Sequence, residues 1–161
     1  VIPDDVRITY AQIVDFLTDT FEPKQLIAYI DAQRNKPLGT KVLRLDLPNG
    51  VSGCALGLAD ADIIGIRKDI KADVYWYMFG HEASHFLLKH VPLLSAGTNT
   101  ATFKEFMRSR DIRYAMLRDR VNHKRDPREK SAEKLGQMIE DCIERYNLSI
   151  PEAYSVYFSL E

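Results

Sequence analysis

The hydrophobic period of this chain changes twice along its length, and that alternation limits the possible folds more than any other feature. Tyr10, Ile13, Val14, Phe16 and Leu17 fall on one helical stripe, and Leu26, Ile27, Tyr29 and Ile30 give a second. Pro23 stands near the start of that second stripe, where a missing N–H costs a helix little. The spacing then shortens. Val42, Leu43, Leu45 and Leu47 form a short strand ended by Pro48-Asn49-Gly50, a turn signal. Cys54-Ala55-Leu56-Gly57-Leu58 and Ile63-Ile64-Gly65-Ile66 are two further short apolar runs, separated by Ala59-Asp60-Ala61-Asp62. They read as arms of a small antiparallel sheet. Helical spacing returns from about residue 72 through 90, with Val74, Tyr75, Met78, Phe79, Phe86 and Leu87 on the apolar side and Pro92 and Gly97 at the exit. A short helix is expected near 103–107. A long one is expected over 127–146, with Pro127 in its first turn and Ala132, Leu135, Met138, Ile139, Cys142 and Ile143 facing the core.

This order predicts an α+β fold: a mainly helical single domain over 1–161, with a small antiparallel sheet beside the 72–90 helix. Its parts are a helical segment 1–38, the sheet 39–68, the active-site helices 69–146 and a C-terminal tail 147–161. A chain of 161 residues can bury a core without staples. The net charge of −1 gives the molecule no electrostatic preference for nucleic acid or an anionic membrane, so neither is an expected partner. No apolar run approaches the length of a bilayer span. The segment Val1-Ile2-Pro3-Asp4-Asp5 lacks the basic flank and apolar core of a signal peptide. Cys54 and Cys142 have no CxxC partner and are expected as reduced, buried small hydrophobes. These features predict a cytoplasmic protein.

The chemistry concentrates in Gly80-His81-Glu82-Ala83-Ser84-His85. HExxH on a helix places two imidazoles at i and i+4, stacked on one face and able to share a metal ion. Glu82 projects beside them, positioned to take a proton from an activated water and return it to a leaving amine. Two nitrogens and a carboxylate suit Zn2+. The carboxylate is sought in Glu129-Lys130-Ser131-Ala132-Glu133, at the start of the last expected helix, where small neighbours permit close helix approach. Glu129 is read as the ligand and Glu133 as the acceptor for a ligand histidine's Nδ1–H, with the reverse assignment as the rival.

Three stretches together resemble the ImmA/IrrE family of small zinc metallopeptidases: Gly57-Leu58-Ala59-Asp60-Ala61-Asp62-Ile63-Ile64-Gly65-Ile66, the HExxH motif, and Asp126-Pro127-Arg128-Glu129-Lys130-Ser131-Ala132-Glu133. The chain departs from the family's usual His-Glu-Leu-Gly-His at Ala83 and Ser84, both small, and has Ser131 where an acidic residue is common. The resemblance implies a bacterial or phage hydrolase of gluzincin pattern, with zinc on His81, His85 and Glu129. It also implies a specific regulatory protein as substrate, a helix-turn-helix repressor. The rival class is a metal-binding regulatory module that docks to a transcription factor or toxin partner without turnover; an intact Glu82 argues against it.

Other residues carry blander readings. His90 is expected on a different helix face from His85, at the surface or the helix end. His123 is expected in a loop and is the reserve candidate for a ligand or for stabilising an oxyanion. Tyr75 and Tyr77 are read as core or rim. Residues 104–130 hold ten Lys and Arg against five acids, a solvated face or a docking surface for an acidic partner. Tyr154, Tyr157 and Phe158 are expected to pack back on the domain.

Overall fold

A computed structural model of the chain describes residues 1–17, 21–92, 101–118 and 126–145. Its elements run α1 (Asp4–Leu17), α2 (Pro23–Arg34), β1 (Thr40–Leu45), β2 (Gly53–Gly57), β3 (Asp62–Arg67), α3 (Ala72–Leu87), α4 (Phe103–Arg108), α5 (Arg110–Arg118) and α6 (Pro127–Arg145). The order is the expected α+β succession of helices, strands and helices. His123, Gly97 and the aromatic residues of the tail lie outside the described residues. Among the described residues no helix is long and apolar enough to cross a membrane.

The sheet corrects the antiparallel expectation. Its order is β1-β3-β2, with β2 antiparallel and β1 parallel to β3. Pro48-Asn49-Gly50 does make a turn: Val51 N–H donates to the Pro48 carbonyl at 3.1 Å, and Gly50 takes φ 82°, which favours glycine. That turn does not join paired strands. The connection 46–52 crosses the end of β3, where Arg67 satisfies it: the Arg67 N–H donates to Ser52, and its Nη2 donates to the carbonyls of Pro48 (2.6 Å) and Val51 (2.5 Å). With those carbonyls paired, β3 sits between β1 and β2.

The pleat sends alternate side chains to two cores. Val42, Ala55, Ile64 and Ile66 face a core built with α1, α2, α3 and α6. Leu43, Leu45, Cys54, Leu56 and Ile63 face a second core closed by Phe106 of α4 and Leu117 of α5. Cys54 and Cys142 are buried and not joined in a disulfide, as expected. Asp62, at the start of β3, is buried with Arg34 from the end of α2; Nε and Nη2 of Arg34 donate to its two carboxylate oxygens at 2.5 and 3.0 Å. The same guanidinium donates to the carbonyls of Val91 (2.8 Å) and Pro92 (3.2 Å) and lies over the Phe86 ring. One buried cation thus ties α2, β3 and the exit of α3 together, with each of its three nitrogens donating to an acceptor.

Candidate metal centre

The motif helix is held by its apolar side. Tyr75, Trp76, Phe79, Ala83, Phe86 and Leu87 of α3 are buried, which turns the opposite face, with His81 and His85, toward a cavity of about 350 Å³. Both unusual motif positions fit the packing. Ala83 is fully buried, and the buried Ser84 hydroxyl donates to the Gly80 carbonyl at 2.6 Å, so it needs no partner outside the helix.

Helix α6 crosses α3 where both carry glycine. A Cβ on Gly80 would stand 2.7 Å from the Gly136 carbonyl oxygen, and one on Gly136 would stand 2.8 Å from the His81 nitrogen. This close approach carries Glu129, two turns before Gly136, onto the two histidines. His81 Nε2 lies 3.1 Å from Glu129 Oε2, and His85 Nε2 lies 3.4 Å from Glu129 Oε1. One donor atom from each of the three residues falls within 4.8 Å of the others. Tetrahedral zinc with bonds of about 2.0–2.1 Å separates its ligands by roughly 3.4 Å, so the donor set and its spacing both fit the ion.

The electrostatics of this cluster are those of a coupled acid and base. Hydrogen bonds from His81 and then His85 hold the Glu129 carboxyl far below the usual range, against the opposing effect of its burial. Burial works to lower the His81 pKa, yet the hydrogen bond to Glu129 and the charges of Glu82, Glu129 and Glu133 leave it raised. His81 Nδ1 is buried with no hydrogen-bond partner among the described residues.

Glu82 is 6% exposed and lies along the cavity wall against β2. At that contact a Cβ on Gly53 would meet Glu82 Oε1 and Met78 Cε at 2.8 Å each, so glycine leaves these side chains their present positions. Glu133 is placed differently from Glu129. It is exposed and makes no hydrogen bond to either histidine, although its charge helps to raise His81 and Tyr77. Tyr75 is core, its phenol pushed up to about 12 by burial despite the Arg44 charge, whereas Tyr77 lines the cavity beside His81 with ring centroids 6.2 Å apart.

His90 lies just past the end of α3, as expected, but not on a face away from His85. Lys89 adopts φ 61° and folds the chain back after α3, setting the His90 Nδ1 3.0 Å from the His85 Nδ1 at the cavity edge. Burial, then the His85 and Arg128 charges, push His90 down to about 4, outweighing the opposing Asp5 and Asp126. Continuing the helical period through residue 90 put this side chain on the wrong face, and no glycine at 89 signalled the reversal. Sequence reading also missed the cavity wall formed by Gly53 and the paired Asp126 and Arg128 at its rim, where Arg128 Nε donates to Asp126 at 2.8 Å. In the described part of the basic stretch, Lys104, Arg108 and Arg110 are exposed. Set against family models, curated proteins and solved structures, the chain matches none.

Proposed function

We propose that this chain is a zinc-dependent endopeptidase of the cytoplasm, with His81, His85 and Glu129 as its metal ligands and Glu82 as its proton-transfer group. The observation that carries the reading is the gathering of three suitable donor atoms on one cavity wall with a buried carboxylate beside them. Zinc bound there supplies Lewis acidity for amide hydrolysis. Glu82 accepts a proton from the attacking water and returns it to the departing amide nitrogen, which leaves as a neutral amine. Helix α6 holds Glu129 in the cluster through the glycine contact with α3. An extended substrate is favoured by β2, an edge strand among the described residues whose segment from Gly53 to Ala55 lines the cavity. Such an edge can pair with a peptide backbone.

The substrate we assign is a specific regulatory protein of the helix-turn-helix repressor class, on the strength of the sequence resemblance. Elemental analysis of protein purified without chelator tests the centre: about one zinc per chain is expected of a single catalytic site. Protein that takes up no divalent metal when zinc is supplied rejects the reading. Mass spectrometry of a repressor or a peptide library incubated with zinc-loaded protein tests turnover. Metal binding with no hydrolysis of any substrate would instead favour the regulatory module that docks without cleaving.

A further inference from the structure

We propose that His90 is a positioning residue for the metal centre: its Nδ1 accepts a hydrogen bond from His85 Nδ1–H and so fixes the tautomer in which His85 Nε2 presents its lone pair to the ion. The inference rests on the metallopeptidase reading and deepens it. A neutral imidazole has one N–H and one lone pair, and the hydrogen bond at one nitrogen sets which is which. His85 Nε2 faces Glu129 Oε1 at 3.4 Å, so it is the nitrogen on the metal side. Once an ion takes the place of the proton that Nε2 shares with Glu129 in the metal-free chain, the remaining proton belongs on Nδ1, in a half-buried setting where an unpaired N–H is costly. The atom within reach is His90 Nδ1, at 3.0 Å. With its own proton on Nε2, His90 accepts there, and both rings are neutral.

The backbone holds His90 in this place. Lys89 N–H donates to Phe86 O at 3.0 Å and His90 N–H to His85 O at 2.8 Å, the paired bonds of a Schellman helix end. Lys89 occupies the left-handed region, which disfavours residues with a Cβ, so the reversal is maintained by its surroundings. One such restraint is Arg34, which donates to the carbonyl of the next residue, Val91. His85 and His90 keep ring centroids 5.2 Å apart. Among the described residues the other metal-side histidine has no equivalent support, since none of them pairs with His81 Nδ1. Of the two metal-side rings, His85 is the one that His90 orients.

The test is zinc affinity by competition with a chelator, measured for His90→Leu and His90→Asn beside the unsubstituted chain. Leu removes the acceptor, whereas Asn can offer its Oδ1 near the position of Nδ1. Affinity should fall about 10- to 100-fold in His90→Leu, the usual cost of removing an orienting partner, and recover most of that loss in His90→Asn. Equal weakening by both variants, or none in His90→Leu, overturns the proposal while leaving the metal centre intact. An unsubstituted chain that binds no zinc removes the metallopeptidase reading itself and this inference with it. Imidazole 15N spectra of the zinc-loaded unsubstituted protein supply a readout independent of any variant's folding. His85 should carry its proton on Nδ1, and a proton on Nε2 rejects the assignment.

Discussion

Gly80 and Gly136 meet backbone to backbone where α3 crosses α6, leaving room for no side chain on either helix. This contact lets a carboxylate from α6 reach two imidazoles on α3. Gly136→Ala would raise the intrinsic preference of α6 for helix by about 1 kcal/mol, yet its Cβ would press on the His81 backbone at 2.8–2.9 Å. Overpacking should win, with a net loss of about 1–3 kcal/mol in urea unfolding and weakened zinc binding as Glu129 is displaced. A more stable variant with unchanged zinc affinity would show that the helices are not in this contact.

Glu82→Gln should keep zinc and lose hydrolysis. The residue lines the cavity but does not belong to the three-donor cluster, and an amide cannot shuttle the proton. Zinc content and product formation, measured on the same sample, check both halves. Loss of the metal would mean that Glu82 itself coordinates.

Glu129→Ala and Glu133→Ala should differ sharply. Removing Glu129 deletes the carboxylate that faces both histidines, so zinc affinity should collapse. Glu133 is exposed and bonds neither ring, so its removal should change affinity by less than about threefold, below the usual cost of losing an orienting partner. Chelator titration of the two variants decides between them, and a larger effect at Glu133 would reverse the assignment.

The ion pair of the metal-free site should show in its pH dependence. His81 is raised above its ordinary 6.5, so its contribution to stability is complete below that value and is lost as pH rises through the raised pKa. Glu129 is depressed, so its contribution is present above its ordinary 4.5 and is lost as pH falls through the lower folded value. Thermal unfolding of the metal-free chain should therefore gain most from this pair between about pH 4.5 and 6.5, a window that Glu129→Gln should flatten. Zinc must displace the His81 proton, so its affinity should rise with pH until that raised pKa is passed. An affinity independent of pH between 5 and 8, roughly the range spanned by histidine titration, would contradict the His81 assignment.

The sequence by itself determined most elements and the motif helix, though not α5 in the basic stretch, because helical and strand periods are written in residues two to four positions apart. His81, Glu82 and His85 share a turn for the same local reason, and Pro23 and Pro127 sit in the first turns where their chemistry places them. Tertiary structure decided what depended on residues distant in the chain. The parallel pairing of β1 with β3 goes with a connection 46–52 whose carbonyls Arg67 satisfies from the end of β3. The choice of Glu129 over Glu133 as the carboxylate facing the histidines required the meeting of Gly80 and Gly136, a contact that no period encodes. His90 reached His85 only because Lys89 took a left-handed conformation ordinarily given to glycine. The packing around a helix end, and not the preference of its residue, set the direction in which the chain left it.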